Sequence, residues 1–163
     1  MRYQPSKDYK SNDAVMTPFE LAEKLVKHFN PSGKGLEPCR GTGNIYRALL
    51  AHGSGAADWC EITEGKDFLE YDKRADFVFT NPPWSKLKEF LTQSMRITDN
   101  IYFLITINHL WTKARQKLIK ANGFYIKEVC LFDTPKGFPQ SGFQVGMAHI
   151  TKGDCDICKT TYL

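Results

Sequence analysis

Gly35-Leu36-Glu37-Pro38-Cys39-Arg40-Gly41-Thr42-Gly43 begins as a short strand and runs into a glycine turn. The apolar-spaced run from Ile45 to about His52 that follows predicts a helix. A glycine turn between a strand and a helix lets the backbone approach a ligand closely. Open sheets built from such units bind ligands at the carboxyl ends of their strands. The residue that would complete a dinucleotide-binding fingerprint is Tyr46, not Gly or Ala, which argues against a nicotinamide or flavin cofactor. No Lys-Ser or Lys-Thr pair follows the turn, so a nucleoside triphosphate loop is excluded.

Upstream, Thr17-Pro18-Phe19-Glu20 predicts a capping box with proline in the first helical position. The helix it opens carries Leu21, Leu25, Val26 and Phe29 on one face and stops near Asn30-Pro31-Ser32-Gly33. Downstream, strands are expected over 56–62, 75–80 and 101–107. A helix from Trp84 and Ser85 carries Leu87, Phe90, Leu91 and Met95, and a second is marked by Leu110, Ala114 and Leu118. The runs 125–132 and 143–151 are strands with only a Gly- and Pro-bearing loop between them, so they pair antiparallel. Strands alternating with helices predict an α/β domain with a mostly parallel, Rossmann-like sheet ending in an antiparallel hairpin.

The length of 163 residues gives one domain, expected over 14–163 behind a flexible basic arm over 1–13. Hydrophobic residues are 42% and charged residues 25%, which is globular composition. No apolar run approaches the roughly 20 residues of a membrane span, and the opening MRYQPSKDYKSND is no signal peptide. Five cysteines without a disulfide-framework pattern point to a reducing compartment, the cytoplasm. Cys155-Asp156-Ile157-Cys158 is a lone C-x-x-C without four zinc ligands at fixed spacing, so two free thiols and no metal are expected. The formal charge of +4 is compatible with a nucleic-acid partner.

Three further features carry chemistry. Glu61 ends the second strand, where an acidic side chain can accept hydrogen bonds from both hydroxyls of a ribose. Asp67-Phe68 pairs a carboxylate with an aromatic ring, a combination that can flank a purine. Asn81-Pro82-Pro83-Trp84 follows the strand ADFVFT directly. Its prolines make a rigid loop with exposed carbonyls. The Asn81 oxygen and the Pro82 carbonyl can both accept hydrogen bonds from one planar NH₂ group. Held so, an amine whose lone pair is delocalised into an aromatic ring moves toward a tetrahedral, nucleophilic nitrogen. Trp84 supplies a flat face for that ring, and an aromatic–base stack contributes about 1–3 kcal/mol.

E-P-C-R-G-T-G followed by N-P-P-W resembles the class I S-adenosylmethionine-dependent amino-methyltransferases, most closely the N6-adenine DNA methyltransferases. Met16-Thr17-Pro18 is similar to the cofactor motif that such enzymes place before the glycine turn, and the order resembles their γ arrangement. Small phage- and prophage-type proteins with E-P-C-R-G, W-C-E-I and N-P-P-W at similar spacings look alike too. The resemblance implies the Rossmann-like methyltransferase fold and S-adenosylmethionine as cofactor. It places Thr17 and Pro18 at the methionine end of the cofactor, and Glu37, Pro38, Cys39, Gly41 and Gly43 around its pocket. Glu61 would hold the ribose, and Asp67 with Phe68 the adenine. Asn81, Pro82, Pro83 and Trp84 would form the target-amine site.

The restriction-type enzymes carry a long target-recognition segment that is absent from this pattern. Substrate contact is left to the basic arm, to Lys86 and Lys88, to the face bearing Lys113, Lys117 and Lys120, and to the 133–142 loop, with a second copy or a partner subunit as further sources of selectivity. Phosphate contacts of this kind position a nucleic acid without reading its sequence. Asn108 and His109 follow the strongest strand and either line the target pocket or cap the next helix. Phe138 and Phe143 either wall the target base or belong to the core. A duplex adenine must be flipped out to reach such a site. RNA amino groups, a protein glutamine, and a cofactor-binding accessory subunit without activity stay open as alternatives.

Overall fold

The computed structural model describes residues 13–140 and 142–163, and among them seven strands form one sheet. They are β1 (Gly35–Glu37), β2 (Ala56–Trp59), β3 (Phe77–Thr80), β4 (Asn100–Thr106), β5 (Phe124–Leu131), β6 (Val145–Lys152) and β7 (Lys159–Tyr162), in the spatial order β2-β1-β3-β4-β6-β5-β7. The basic arm expected over 1–13 lies outside the described residues except for Asp13. β1 to β4 are mutually parallel, and β6 runs antiparallel to both β4 and β5. Among the described residues the loop between β5 and β6 contains no helix, so β6 has to return alongside β5 in reverse. The expected mostly parallel sheet with an antiparallel C-terminal pair is therefore present.

Among the described residues four helices cover the sheet: α1 (Phe19–Phe29), α2 (Asn44–Ala51), α3 (Leu87–Ile97) and α4 (Lys113–Ala121). Alternation along the strands divides the core into two layers. Phe77, Phe79, Tyr102 and Leu104 face α1 and α2, where they meet Leu25, Val26, Ile45 and Leu49. Val78, Ile101, Phe103 and Ile105 face the other way and pack with Phe90, Leu91 and Ile119. Chain direction explains the division. β1 leads through α2 to β2 on one side, while β3 leads through α3 to β4 on the other. A right-handed crossover in each direction puts the two helices on opposite faces.

Several elements differ from the sequence expectation. The capping box does not form: Pro18 is the N-cap of α1 with no side-chain cap, so the helix starts at Phe19 and Glu20 falls one position short of the box. The second strand ends at Trp59, because Glu61 caps a 3₁₀ turn over Ile62–Glu64. Trp84 opens a 3₁₀ turn, and α3 begins only at Leu87. Neither Asn108 nor His109 caps α4. That is done by Thr112, whose Oγ1 accepts from the Arg115 N–H at 3.2 Å, and Leu110 stays buried before the helix. β7 was not expected. It lies parallel to β5, and its Thr161 Oγ1 donates to Glu128 Oε1 at 2.7 Å, on the carboxylate oxygen that His28 of α1 also contacts. Cys155 and Cys158, in the turn before β7, are free thiols. Among the described residues no helix is long and apolar enough to cross a membrane.

His149 of β6 is 7% exposed, stacks on Tyr102 with centroids 4.3 Å apart and bonds Asn100 Oδ1 at 3.0 Å through Nε2. Burial, with the Lys127 charge adding, pushes its imidazole from the ordinary 6.5 down to about 4. The unfolded chain binds this proton more readily than the folded one, so stability is complete above pH 6.5 and drains as pH falls toward 4. The span corresponds to about 3 kcal/mol. Urea unfolding at pH 7, 5.5 and 4.5 is expected to show this slope in the wild type and a flatter one in His149→Gln.

Candidate active site

The loops leaving β1, β2 and β3 at their carboxyl ends, together with residues 13–17, enclose a cleft of about 510 Å³. Small-molecule sites typically hold roughly 300–1,000 Å³. The cleft lies where the strand order turns, with β1 continuing to β2 on one side and β3 to β4 on the other. In open α/β sheets such a switch point is where ligands bind.

Gly41 and Gly43 have φ of +51° and +83°, values that favour glycine, and the Gly43 N–H donates to the Arg40 carbonyl at 2.7 Å. A side chain at Gly41 would also meet Met16 Sδ at 2.7 Å. α2 starts immediately after Gly43, with no side-chain cap and no acidic residue in its first turn. Its leading residues Asn44 and Ile45 line the cleft. The positive end of the helix dipole is therefore available to an anionic group there. Arg40 lies 3.7 Å over the Trp59 ring, pairs with Glu64, and so secures the turn to the end of β2.

Glu61 lines the cleft beside the glycine turn. Its Oε2 accepts from the Gly41 N–H at 2.8 Å, and its Oε1 accepts from the Thr63 hydroxyl at 2.8 Å and N–H at 3.2 Å. Partial burial opposes ionisation, but these donors and the Arg40 charge outweigh it and hold the carboxyl below its ordinary value. Oε2, with a single donor, retains acceptor capacity beyond this bond. Asp67 caps the next 3₁₀ turn through Oδ1 and lines the cleft. Phe68 is only 2% exposed, its ring against Phe90 at 4.9 Å, so it forms the cleft floor and not a face free for stacking. The exposed apolar groups at the cleft are Met16, Ile62 and Leu69, the last two of which the sequence reading missed. For Ile62 the signal was a branched apolar residue directly after Glu61.

Thr17, Pro38, Cys39 and Gly41 line the cleft, whereas Pro18, Glu37 and Gly43 do not. Glu37 stands behind the wall, fully buried. Burial drives its carboxyl well above the ordinary value, against the Thr80 hydroxyl, which donates to Oε1 at 2.7 Å, and the Cys39 N–H. Its role is to join the ends of β1 and β3. Burial, and then the neighbouring Glu37 and Glu61, push the Cys39 thiol far up, which makes it a poor nucleophile. The Thr17 hydroxyl is buried without a partner at the cleft, as is Glu37 Oε2 behind it.

Asn81 continues from the buried end of β3. Its Nδ2 donates to the Val15 carbonyl at 2.9 Å. A carbonyl can only accept, so this bond fixes the amide orientation and leaves Oδ1 as the acceptor end. Asn81 and Pro83 line the cleft, while Pro82 is buried. Trp84 is half-buried, touches both core layers, and donates Nε1–H to the Leu104 carbonyl at 3.2 Å. That carbonyl lies beyond the last β3–β4 pair, Thr80↔Phe103. His109 stands edge-on to Trp84 at 6.4 Å and Phe138 lies at 6.4 Å, so three rings meet at the carboxyl edge. The His109 imidazole is held below its ordinary value by burial and by Arg115. Phe138 is core, at 3% exposure, whereas Phe143 is 57% exposed.

Of the lysines named from sequence, Lys86 lines the cleft. Lys88, Lys113 and Lys117 are exposed on α3 and α4, and Asn108 is exposed in the turn before α4. Lys120 is taken up by Asp156 at 3.3 Å.

No protein-family model matches this sequence, and no curated protein does. Solved structures match its fold. A candidate RNA methyltransferase from Pyrococcus horikoshii superposes with a TM-score of 0.64 at 17% identity, covering 86% of this chain and 87% of that one. A candidate class I S-adenosylmethionine-dependent methyltransferase from Listeria monocytogenes gives 0.62 at 17% identity, over 96% and 68% of the two chains. The modification subunit of a candidate type I restriction enzyme from Vibrio vulnificus gives 0.61 at 14% identity, covering 90% of this chain and 45% of that subunit. The fold of this chain is the Rossmann-like fold of the class I methyltransferases.

Proposed function

We propose that this chain is an S-adenosylmethionine-dependent methyltransferase acting on the N6 amino group of adenine in DNA, with limited sequence selectivity. The carrying observation is the Asn81 amide, turned by the Val15 carbonyl so that its oxygen accepts, on the rim of a cleft at the switch point of the sheet. The residues of the cleft suit the cofactor. The first turn of α2 suits a carboxylate, and the unpartnered Thr17 hydroxyl suits the same polar end. The ionised Glu61 suits a ribose diol, and Ile62 and Leu69 with Asp67 suit a purine. When bound, S-adenosylmethionine supplies an electrophilic methyl group on a sulfonium sulfur.

The protein's part is to prepare the amine. Asn81 Oδ1 and the Pro82 carbonyl accept its two protons, which directs the lone pair away from the ring and stabilises the positive charge that grows on nitrogen. Trp84 is held by its bond to Leu104, with His109 edge-on to it and Phe138 packed against it from the core, and its ring is the stacking face for a planar target. Lys86, Lys88, Lys113 and Lys117 supply phosphate contacts that position the strand without reading it. Selectivity beyond this is left to the basic arm, a second copy or a partner subunit. Cytoplasmic placement suits an enzyme with free thiols and a nucleic-acid substrate.

Tritiated cofactor offered with duplex DNA, single-stranded DNA, RNA and protein is expected to label DNA, with digestion yielding N6-methyldeoxyadenosine. Label confined to RNA or protein would overturn the substrate, and failure to bind S-adenosylhomocysteine would overturn the cofactor. Asn81→Ala is expected to lose about 10²–10³-fold in kcat while still binding S-adenosylhomocysteine. Glu61→Ala is expected to weaken S-adenosylhomocysteine binding by about tenfold or more in calorimetry, since hydrogen bonds to a charged group contribute about 1.5–3 kcal/mol.

A further inference from the structure

Residues 13–17 belong to no helix or strand, yet alternate residues along them are bonded to the loops of the site. The Ser85 N–H donates to Asp13 Oδ1 at 3.2 Å, and the Ser85 hydroxyl donates to Asp13 Oδ2. Asn81 Nδ2 donates to the Val15 carbonyl, and Asn44 Nδ2 donates to the Thr17 carbonyl, each at 2.9 Å. The carbonyls of Val15 and Thr17 therefore meet the target loop and the start of α2 in turn. All of residues 13–17 also line the cleft. The segment is thus a strap shared by the cofactor cleft and the Asn81 loop.

We propose that Asp13 is a positioning residue for methyl transfer. Its carboxylate seats the strap on Ser85, and the seated strap brings the Val15 carbonyl to Asn81, fixing the amide with Oδ1 toward the target amine. The two ends of an asparagine amide are chemically opposite, one accepting and one donating twice. If the Val15 carbonyl moves away, nothing in this contact prevents the amide from turning over, and the target amine then meets donors where it needs an acceptor. Val15 acts through its backbone, so side-chain substitution there leaves the contact intact. Asp13 is the side chain through which the strap can be tested. It is exposed and belongs to neither core layer, so its replacement leaves the fold in place. Filling the cleft restrains the strap from its other side, which links cofactor binding to the order of the target loop.

The inference rests on the methyl-transfer reading, and its test separates the two. Asp13→Ala, Asp13→Asn and Ser85→Ala are compared with wild type in turnover on an adenine-containing oligonucleotide, S-adenosylhomocysteine affinity, thermal unfolding and amide hydrogen exchange at Ser85. Asp13→Ala and Ser85→Ala are expected to lose about tenfold in kcat with S-adenosylhomocysteine affinity within about twofold of wild type. Asp13→Asn keeps an oxygen acceptor and is expected to recover part of the loss. Exchange of the Ser85 amide is expected to speed up about tenfold in Asp13→Ala, and S-adenosylhomocysteine to slow it in wild type only. Turnover and Ser85 exchange both at wild-type level in Asp13→Ala would overturn the inference. So would a kcat loss matched by equal losses of S-adenosylhomocysteine affinity and melting temperature, the mark of a general structural role. A wild type that transfers no methyl group refutes the reading instead, and Ser85 exchange still decides whether Asp13 holds the loop.

Discussion

The crossovers on either side of β1 and β3 obey one handedness in opposite directions, and the site depends on that constraint. The chain leaves β1 for β2 and leaves β3 for β4. Right-handed connections then draw α2 to one face and α3 to the other. The loops that begin these connections part above adjacent strands, and a crevice opens between them. The glycine turn occupies one lip and Asn81-Pro82-Pro83-Trp84 the other. Neither loop needs an added domain to face its counterpart. The two core layers hold the lips apart, and Trp84 touches both layers.

Crossover geometry sets where the lips are, and short polar contacts set what they present. Glu37 and Thr80 close β1 against β3 through one buried hydrogen bond, directly beneath Pro38 and Asn81. Glu61 ties the glycine turn to the end of β2 through the Gly41 N–H. Residues 13–17 then bridge the glycine-turn side and the target loop from outside the sheet. The sheet thus supplies position to within a few ångströms, while hydrogen bonds of 2.7–2.9 Å set the orientation of groups that must meet a ligand.

The features legible in the sequence were those whose signal is local. The glycine turn requires left-handed φ at Gly41 and Gly43, and a strand followed by N-P-P-W announces a rigid loop within four residues. The features that escaped are non-local or lack a pattern. β7 is Lys159-Thr160-Thr161-Tyr162, a four-residue edge strand with no apolar face, and its pairing with β5 has no periodic trace. The Asp13–Ser85 contact joins residues 72 apart. The false capping box at Thr17 shows the reverse case: the local pattern was correct, but Thr17 lends its carbonyl to Asn44 and buries its hydroxyl at the cleft. A departure from local preference at a cleft wall is where function is expected to override folding rules.

Glu37 and Glu61 show how environment divides labour between like residues on one sheet edge. Glu37 ends β1, Glu61 lies two residues past the end of the parallel β2, and both contact the segment that carries the glycines. Glu37 has no exposed surface, and burial outweighs the Thr80 and Cys39 donors, so the neutral acid is favoured. Glu61 keeps contact with solvent, and the Gly41 and Thr63 donors with the Arg40 charge outweigh the same cost, so the carboxylate is favoured. The charge of Glu61 itself helps to push Glu37 toward the neutral form. Burial shifts the carboxyl behind the wall toward its neutral form while the donors at the cleft favour ionisation of the other, which lessens repulsion beneath one turn. The Glu61 carboxylate lies where hydroxyl groups of a ligand can reach it. Glu37 is therefore better understood as the structural joint between the two lips, and Glu61 as the acid that faces the ligand.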